Sequence, residues 1–222
     1  MNGLYRLIRF SLLTICLLPA PAVADSVAPP PTIEHHQLAL ELSPDSHRLI
    51  ATDRVTVAGG FPGQELAFSL APTLLLERVE DLTHCQDPCE FAPSVPFARD
   101  RSSSQAESQR ILLKQPPANQ AGGSIRLKFV YHGVIDDPPR DPRHLRFVTP
   151  SETAGHIGPE GVYLSSESQW YPDLDDSLAT YDVRITLPEG WAAVTQGTAQ
   201  ADSSRWMVST KSEALTVVAN RF

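Results

Sequence analysis

The stretch "ESQWYPDLDDSLATYDVRITLPEGWAAVTQG", residues 167–197, decides how the chain is read. Within it Tyr181, Val183, Ile185 and Leu187 alternate with polar residues, the period-two pattern of a strand with one buried face. Pro188-Glu189-Gly190 then stops the strand, and Trp191 is placed to fold back on the core. Upstream, Trp170 and Tyr171 bring large apolar surface to a corner whose backbone Pro172 fixes. An aromatic corner feeding an alternating strand belongs to a two-layer β architecture.

The same alternation recurs outward from this stretch. "HHQLALEL" places Leu38, Leu40 and Leu42 on one side, and "HRLIATDRVTV" follows after the turn Ser43-Pro44-Asp45-Ser46, so the two read as a hairpin. "ELAFSL" and "LLLERVED" flank Ala71-Pro72. "QRILLK" and "GGSIRLKFVYHG" resume the pattern, with Ile125, Leu127, Phe129 and Tyr131 in strict alternation. "VYLSS", "AAVTQGTAQ", "RWMVST" and "ALTVVANRF" complete it. Residues 86–108 and the Pro- and Arg-rich segment 134–160 read as irregular loops. Apolar residues nowhere recur at helical spacing across three turns, and no fixed-period repeat is visible. Nine to eleven short strands predict an all-β, antiparallel β-sandwich.

Residues 1–24 read as a secretory signal: Arg6 and Arg9 precede the apolar run FSLLTICLL, and Ala22-Val23-Ala24 supplies small residues before Asp25. Pro19 and Pro21 interrupt the run early, which argues against a retained anchor. Residues 25–32 form a Pro-rich leader and 33–222 the sandwich domain. The expected location is periplasmic or extracellular, with no stable membrane anchor once the signal is removed. Signal removal takes two of the 18 basic residues and none of the 26 acidic ones, so a chain of net charge −8 becomes more acidic. Phosphate recognition needs a cationic face, and no nucleic acid is expected as a partner.

Cys85 and Cys89 in "HCQDPCEF" read as a local disulfide in an oxidising compartment. A metal site of His84 with both thiolates lacks a nearby fourth ligand. None of the seven histidines is followed by Glu, so H-E-x-x-H is absent. His35 and His36 must point to opposite faces of a strand, one partly buried and one exposed, and cannot chelate one ion together. A G-x-S-x-G elbow, a Walker loop and a dinucleotide fingerprint are all missing. "DLDDS" at 173–177 fails as an EF-hand, since Leu178 stands where Gly is needed, and reads as a solvated turn.

The order of elements, with "ESQWYP" and "YDVRITLPEGWAAVTQG", resembles the N-terminal domain of the aminopeptidase N family of zinc metallopeptidases, from about Ile33 to Phe222. The resemblance implies a saddle-shaped β-sandwich. In that family the sandwich precedes a catalytic domain with a Gly-x-Met-Glu-Asn loop and a zinc helix. Here the only methionines are Met1 and Met207, and neither motif is present. The implied function is a non-catalytic portion of a secreted peptidase, a fragment or a truncated member, contributing to the substrate entrance. No catalytic residue, metal site or cofactor is expected in this chain, zinc being expected only in a catalytic domain. Glu167 and Gln169 would stand near a peptide's free amine, so peptides are partners only of an intact relative, to whose catalytic domain the sandwich would dock. The alternatives are a free-standing secreted binding module using loops 86–108 and 134–160, and an inactive partner of a separate catalytic chain.

Overall fold

The computed structural model describes residues 30–59, 65–85, 89, 91–100, 108–113, 123–138, 153–174, 177–201 and 204–222. The expected signal and most of the leader lie outside them. Fourteen strands run along the described chain: β1 (Thr32–Ser43), β2 (Arg48–Ala58), β3 (Leu66–Leu70), β4 (Leu74–Asp81), β5 (Ala98–Asp100), β6 (Gln109–Leu113) and β7 (Ser124–Val134) come first. Then follow β8 (Gly155–Gly158), β9 (Gly161–Leu164), β10 (Ala179–Thr186), β11 (Trp191–Thr195), β12 (Thr198–Ala199), β13 (Arg205–Ser212) and β14 (Val217–Arg221). The only helical pieces among the described residues are 3-10 turns at Pro44–Ser46 and Ser166–Ser168. No helix among them is long and apolar enough to cross a membrane.

A seven-stranded sheet in the order β12-β13-β10-β1-β2-β7-β4 forms one layer. A four-stranded sheet, β11-β14-β9-β8, and a three-stranded sheet, β3-β6-β5, bury their inner residues in the same core. β1 and β2 form the expected hairpin, with Leu40 opposite Ala51 and Leu42 opposite Leu49. Leu38, Leu40 and Leu42 are buried while Gln37, Ala39 and Glu41 face outward, so the period-two pattern is the cause of the layer. Ile125, Leu127, Phe129 and Tyr131 line the same interior from β7, and Phe68 of the three-stranded sheet meets Phe129 edge-on at 4.8 Å between centroids. Burying one such aromatic contributes about 4–6 kcal/mol of transfer free energy before entropy is charged against it.

The all-β sandwich is as expected, but its sheets are not wholly antiparallel. β10 runs parallel to β1, with Leu38 opposite Val183 and Leu40 opposite Ile185. β10 therefore lies between β1 and β13 in the middle of the large sheet. A short strand, β8, also stands inside the segment expected to be a loop, and β5 stands inside 86–108. The corner behaves as its residues suggest. Trp170 and Tyr171 are fully buried and pack edge-to-face at 4.7 Å, and Trp191, after the Gly190 turn, packs half-buried against the core. Asp173 forms a backbone bridge to Ser69 and Leu174 is buried, so this part of "DLDDS" is bound to the sandwich rather than solvated. Asp175 and Asp176 lie outside the described residues.

Candidate functional site

The segment between β9 and Trp170 is built to project side chains from a fixed base. Ser165 donates its Oγ hydrogen to the Ala154 carbonyl at 2.8 Å, and Ser168 donates to the Ser165 carbonyl at 2.7 Å. Gln169 closes the 3-10 turn in a left-handed conformation, φ 50°, and its carbonyl accepts the Ala71 N–H at 2.8 Å. Gly155 lies under the turn: a Cβ there would come within 2.5 Å of the Ser168 Cβ, so only glycine lets the turn settle on β8. From the other side, the buried Gln109 amide donates to the Ala71 and Leu74 carbonyls at 2.8 and 2.6 Å, pinning the Ala71–Leu74 turn. No sequence pattern marks Gln109 for this duty, because a glutamine on a strand ordinarily faces water.

Together these segments line an open groove of about 660 Å³ whose walls include Pro72, Asp136, Asp137, Glu167, Ser168 and Gln169. Glu167 is exposed, and the Gln169 side-chain oxygen accepts no hydrogen bond. The two residues expected at a substrate entrance therefore share one cleft with two further carboxylates. The exposed Glu167 carboxylate suits a ligand that brings N–H groups or positive charge, whereas the Gln169 side-chain oxygen is buried beneath the wall.

Beneath the corner lies a polar centre that the sequence did not announce. His36 Nδ1 meets Asp53 Oδ2 at 2.7 Å with both side chains fully buried, while His35 is half-buried and meets Thr180 Oγ1 at 2.8 Å. Instead of one partly buried ring and one exposed, the strand buries His36 completely, because a neighbouring strand brings a carboxylate to it. His36 stacks on Tyr181 at 5.1 Å and meets Tyr171 edge-on at 5.2 Å. Burial pushes the Tyr171 hydroxyl up to about 12 and raises those of Tyr181 and Tyr131 as well, so all three remain neutral. Burial lowers the pKa of His35, and the adjacent His36 adds to the effect. The buried His36, Asp53 and Tyr181 side chains tie β1, β2 and β10 together.

Cys85 and Cys89 are disulfide-bonded, with Cα atoms 5.6 Å apart. Arg126 secures the loop by donating from its guanidinium to the Leu82 and Cys85 carbonyls. The outer face of the four-stranded sheet carries a row of exposed apolar side chains. Val194 stands opposite Val218 and Val218 opposite Tyr163, and the three are 56%, 47% and 40% exposed. Of the loops expected as contact surfaces of a binding module, 86–88, 90, 101–107 and 139–152 lie outside the described residues.

The helix-borne H-E-x-x-H pair that holds the catalytic zinc in the aminopeptidase N family is not among these groups. That ion needs two histidines one helical turn apart with further carboxylates. The chain contains no H-E-x-x-H, and the described residues include no α-helix to present one.

No family model and no curated protein matches this sequence. Solved structures do match its shape. An M1 zinc metallopeptidase from Deinococcus radiodurans aligns with a TM-score of 0.56 at 17% identity, covering 86% of this chain and 42% of that one. A mutant of that enzyme bound to a Tyr-Ser-Ala substrate gives 0.55 over the same shares. Yeast leukotriene A4 hydrolase aligns with a TM-score of 0.60 at 12% identity, covering 86% of this chain and 29% of that one. The chain spans less than half the length of these proteins, and its fold is that of the N-terminal part of M1 zinc metallopeptidases.

Proposed function

We propose that this chain is the exported, non-catalytic β-sandwich portion of an M1-type zinc aminopeptidase, which borders the substrate entrance and docks on a catalytic domain. The observation that carries the reading is the alignment of 86% of the chain with under half of an M1 metallopeptidase. The Val194–Val218–Tyr163 row supports it, since a contiguous apolar strip on an outer sheet face favours burial against a partner. So does the groove at Glu167 and Gln169, whose exposed Glu167 carboxylate suits the ammonium group of a peptide. In this reading the chain positions substrate while zinc chemistry resides on the partner domain.

Three measurements test it together. The nucleotide sequence on the 3′ side of codon 222 and in adjoining frames should encode an H-E-x-x-H helix. The purified chain alone should leave aminoacyl-anilides uncleaved. It should also self-associate in sedimentation, and Val218→Lys should make it monodisperse. Unrelated flanking frames with a wild-type monomer would replace this reading by the binding module. Chelator-sensitive turnover by the chain alone would overturn its non-catalytic character.

A further inference from the structure

At the Asp136 wall of the groove, three segments that are distant in sequence bring two imidazoles and a carboxylate together. One nitrogen each of His47 and His156 and one oxygen of Asp136 all lie within 4.8 Å of one another. Backbone contacts hold these donors in place. His47 caps the first 3-10 turn in a left-handed conformation, φ 54°, and its carbonyl accepts the Ile135 N–H at 3.0 Å. Asp136 and His156 form an antiparallel bridge, and the Ile157 N–H donates to the Ile135 carbonyl at 3.0 Å.

The hydrogen bonding of His156 is half complete. Its Nε2 meets Glu160 Oε1 at 2.7 Å, whereas Nδ1, on a side chain only 6% exposed, has no hydrogen-bond partner. Asp136 Oδ1 lies 3.2 Å from that nitrogen but outside the direction a hydrogen bond requires. A carboxylate that fixes the proton on one imidazole nitrogen and turns the other nitrogen's lone pair inward is the usual outer support of a metal-bound histidine. Gly158 makes room for it, since a Cβ there would collide with His156 Nε2 and with the Glu160 carboxylate. His47 Nδ1 lies 3.7 Å from Asp136 Oδ1 and 2.5 Å from the Ile157 carbonyl, so a cation bound there would take the place of the proton that this carbonyl accepts.

We propose that His47, Asp136 and His156 form a binding site for one divalent first-row transition-metal cation, with Glu160 orienting His156. The site is separate from any catalytic zinc and does not depend on the peptidase reading. Two imidazoles with one carboxylate suit zinc or its neighbours better than calcium or magnesium, which favour all-oxygen ligands. A cation here would staple the β1–β2 turn to β8, and so the large sheet to the small one.

The test is calorimetric titration of the untagged, metal-stripped chain with zinc chloride. One equivalent should bind per chain, and the melting temperature should rise with zinc. His156→Ala should abolish binding, His47→Asn should abolish or severely weaken it while keeping a residue that tolerates the left-handed backbone, and Glu160→Gln should weaken it by about 10–100-fold. If His156→Ala fails to fold by circular dichroism, the His47 and Glu160 variants still decide the matter. Absence of stoichiometric binding, or binding that survives both His47→Asn and Glu160→Gln, overturns the proposal.

Discussion

Replacing Trp170 tests whether the aromatic corner is the keystone of the sandwich. The side chain is fully buried and meets Tyr171 edge-to-face at 4.7 Å. An aromatic of this size removes about 200 Å² from water, worth about 5 kcal/mol at roughly 25 cal/mol per Å², and Trp→Ala in cores costs about 3–5 kcal/mol. Against a domain stability of about 5–15 kcal/mol, Trp170→Ala should shift the urea midpoint down by about 2 M or prevent folding. Trp170→Phe should behave differently. The indole N–H has no hydrogen-bond partner, and an unpaired buried donor costs about 1–3 kcal/mol. Phenylalanine keeps most of the buried area and drops that donor, so its net cost should be about 1 kcal/mol. Urea titrations followed by far-UV circular dichroism would measure both. The reasoning fails if Trp170→Ala costs under 1 kcal/mol, or if the two substitutions cost the same.

Two glycines with positive φ should separate strain from collision. At Gly197, φ 91°, a Cβ would run into the Met207 carbonyl, so Gly197→Ala should cost about 2 kcal/mol or more; at Gly190, φ 79°, nothing lies within 4 Å and Gly190→Ala should cost about 1 kcal/mol, both read from thermal melts. The Arg205 guanidinium grips Asp182 through two hydrogen bonds, of 2.8 and 2.5 Å, and holds its carboxyl below the usual aspartate range. A depressed folded pKa stabilises above the unfolded value of about 3.9 and loses that contribution as pH falls through the folded one. Arg205→Gln should therefore cost about 1 kcal/mol at neutral pH, discounted for its partly exposed guanidinium, and progressively less in acid. A cost independent of pH across the acid range would refute the assignment.

Strands with a long alternating run were legible because each buried side chain is followed by a solvated one: Leu38 to Leu42 and Ile125 to Tyr131 declare both strand and face. Shorter strands carry too little pattern. β12 has two residues, β5 three, and all four residues of β8 are buried, so no alternation exists to detect. The parallel pairing of β1 with β10 was hidden for another reason. Alternation shows that a strand has a buried face, but partner and direction follow from packing across the whole chain. Glu167 and Gln169 do share a groove, yet Gln109, which shapes its floor, and Asp53, which partners His36, carry no motif. Their burial depends on neighbours supplied from other strands. The His47–Asp136–His156 cluster was invisible for the same reason, its members coming from three separate segments with no ligand spacing between them.

The place of β1 beside β10 also bears on how the chain is made. Synthesis proceeds at about 5–20 residues per second, so β1 emerges many seconds before the strand that covers its free edge. Until residue 186 has left the ribosome, half of the backbone polar groups of the central strand have no lateral partner. A nascent chain in that state is a template for wrongful association, and distant pairings of this kind close slowly. Cells producing this protein should need a holding factor that engages the first hairpin before the second half arrives.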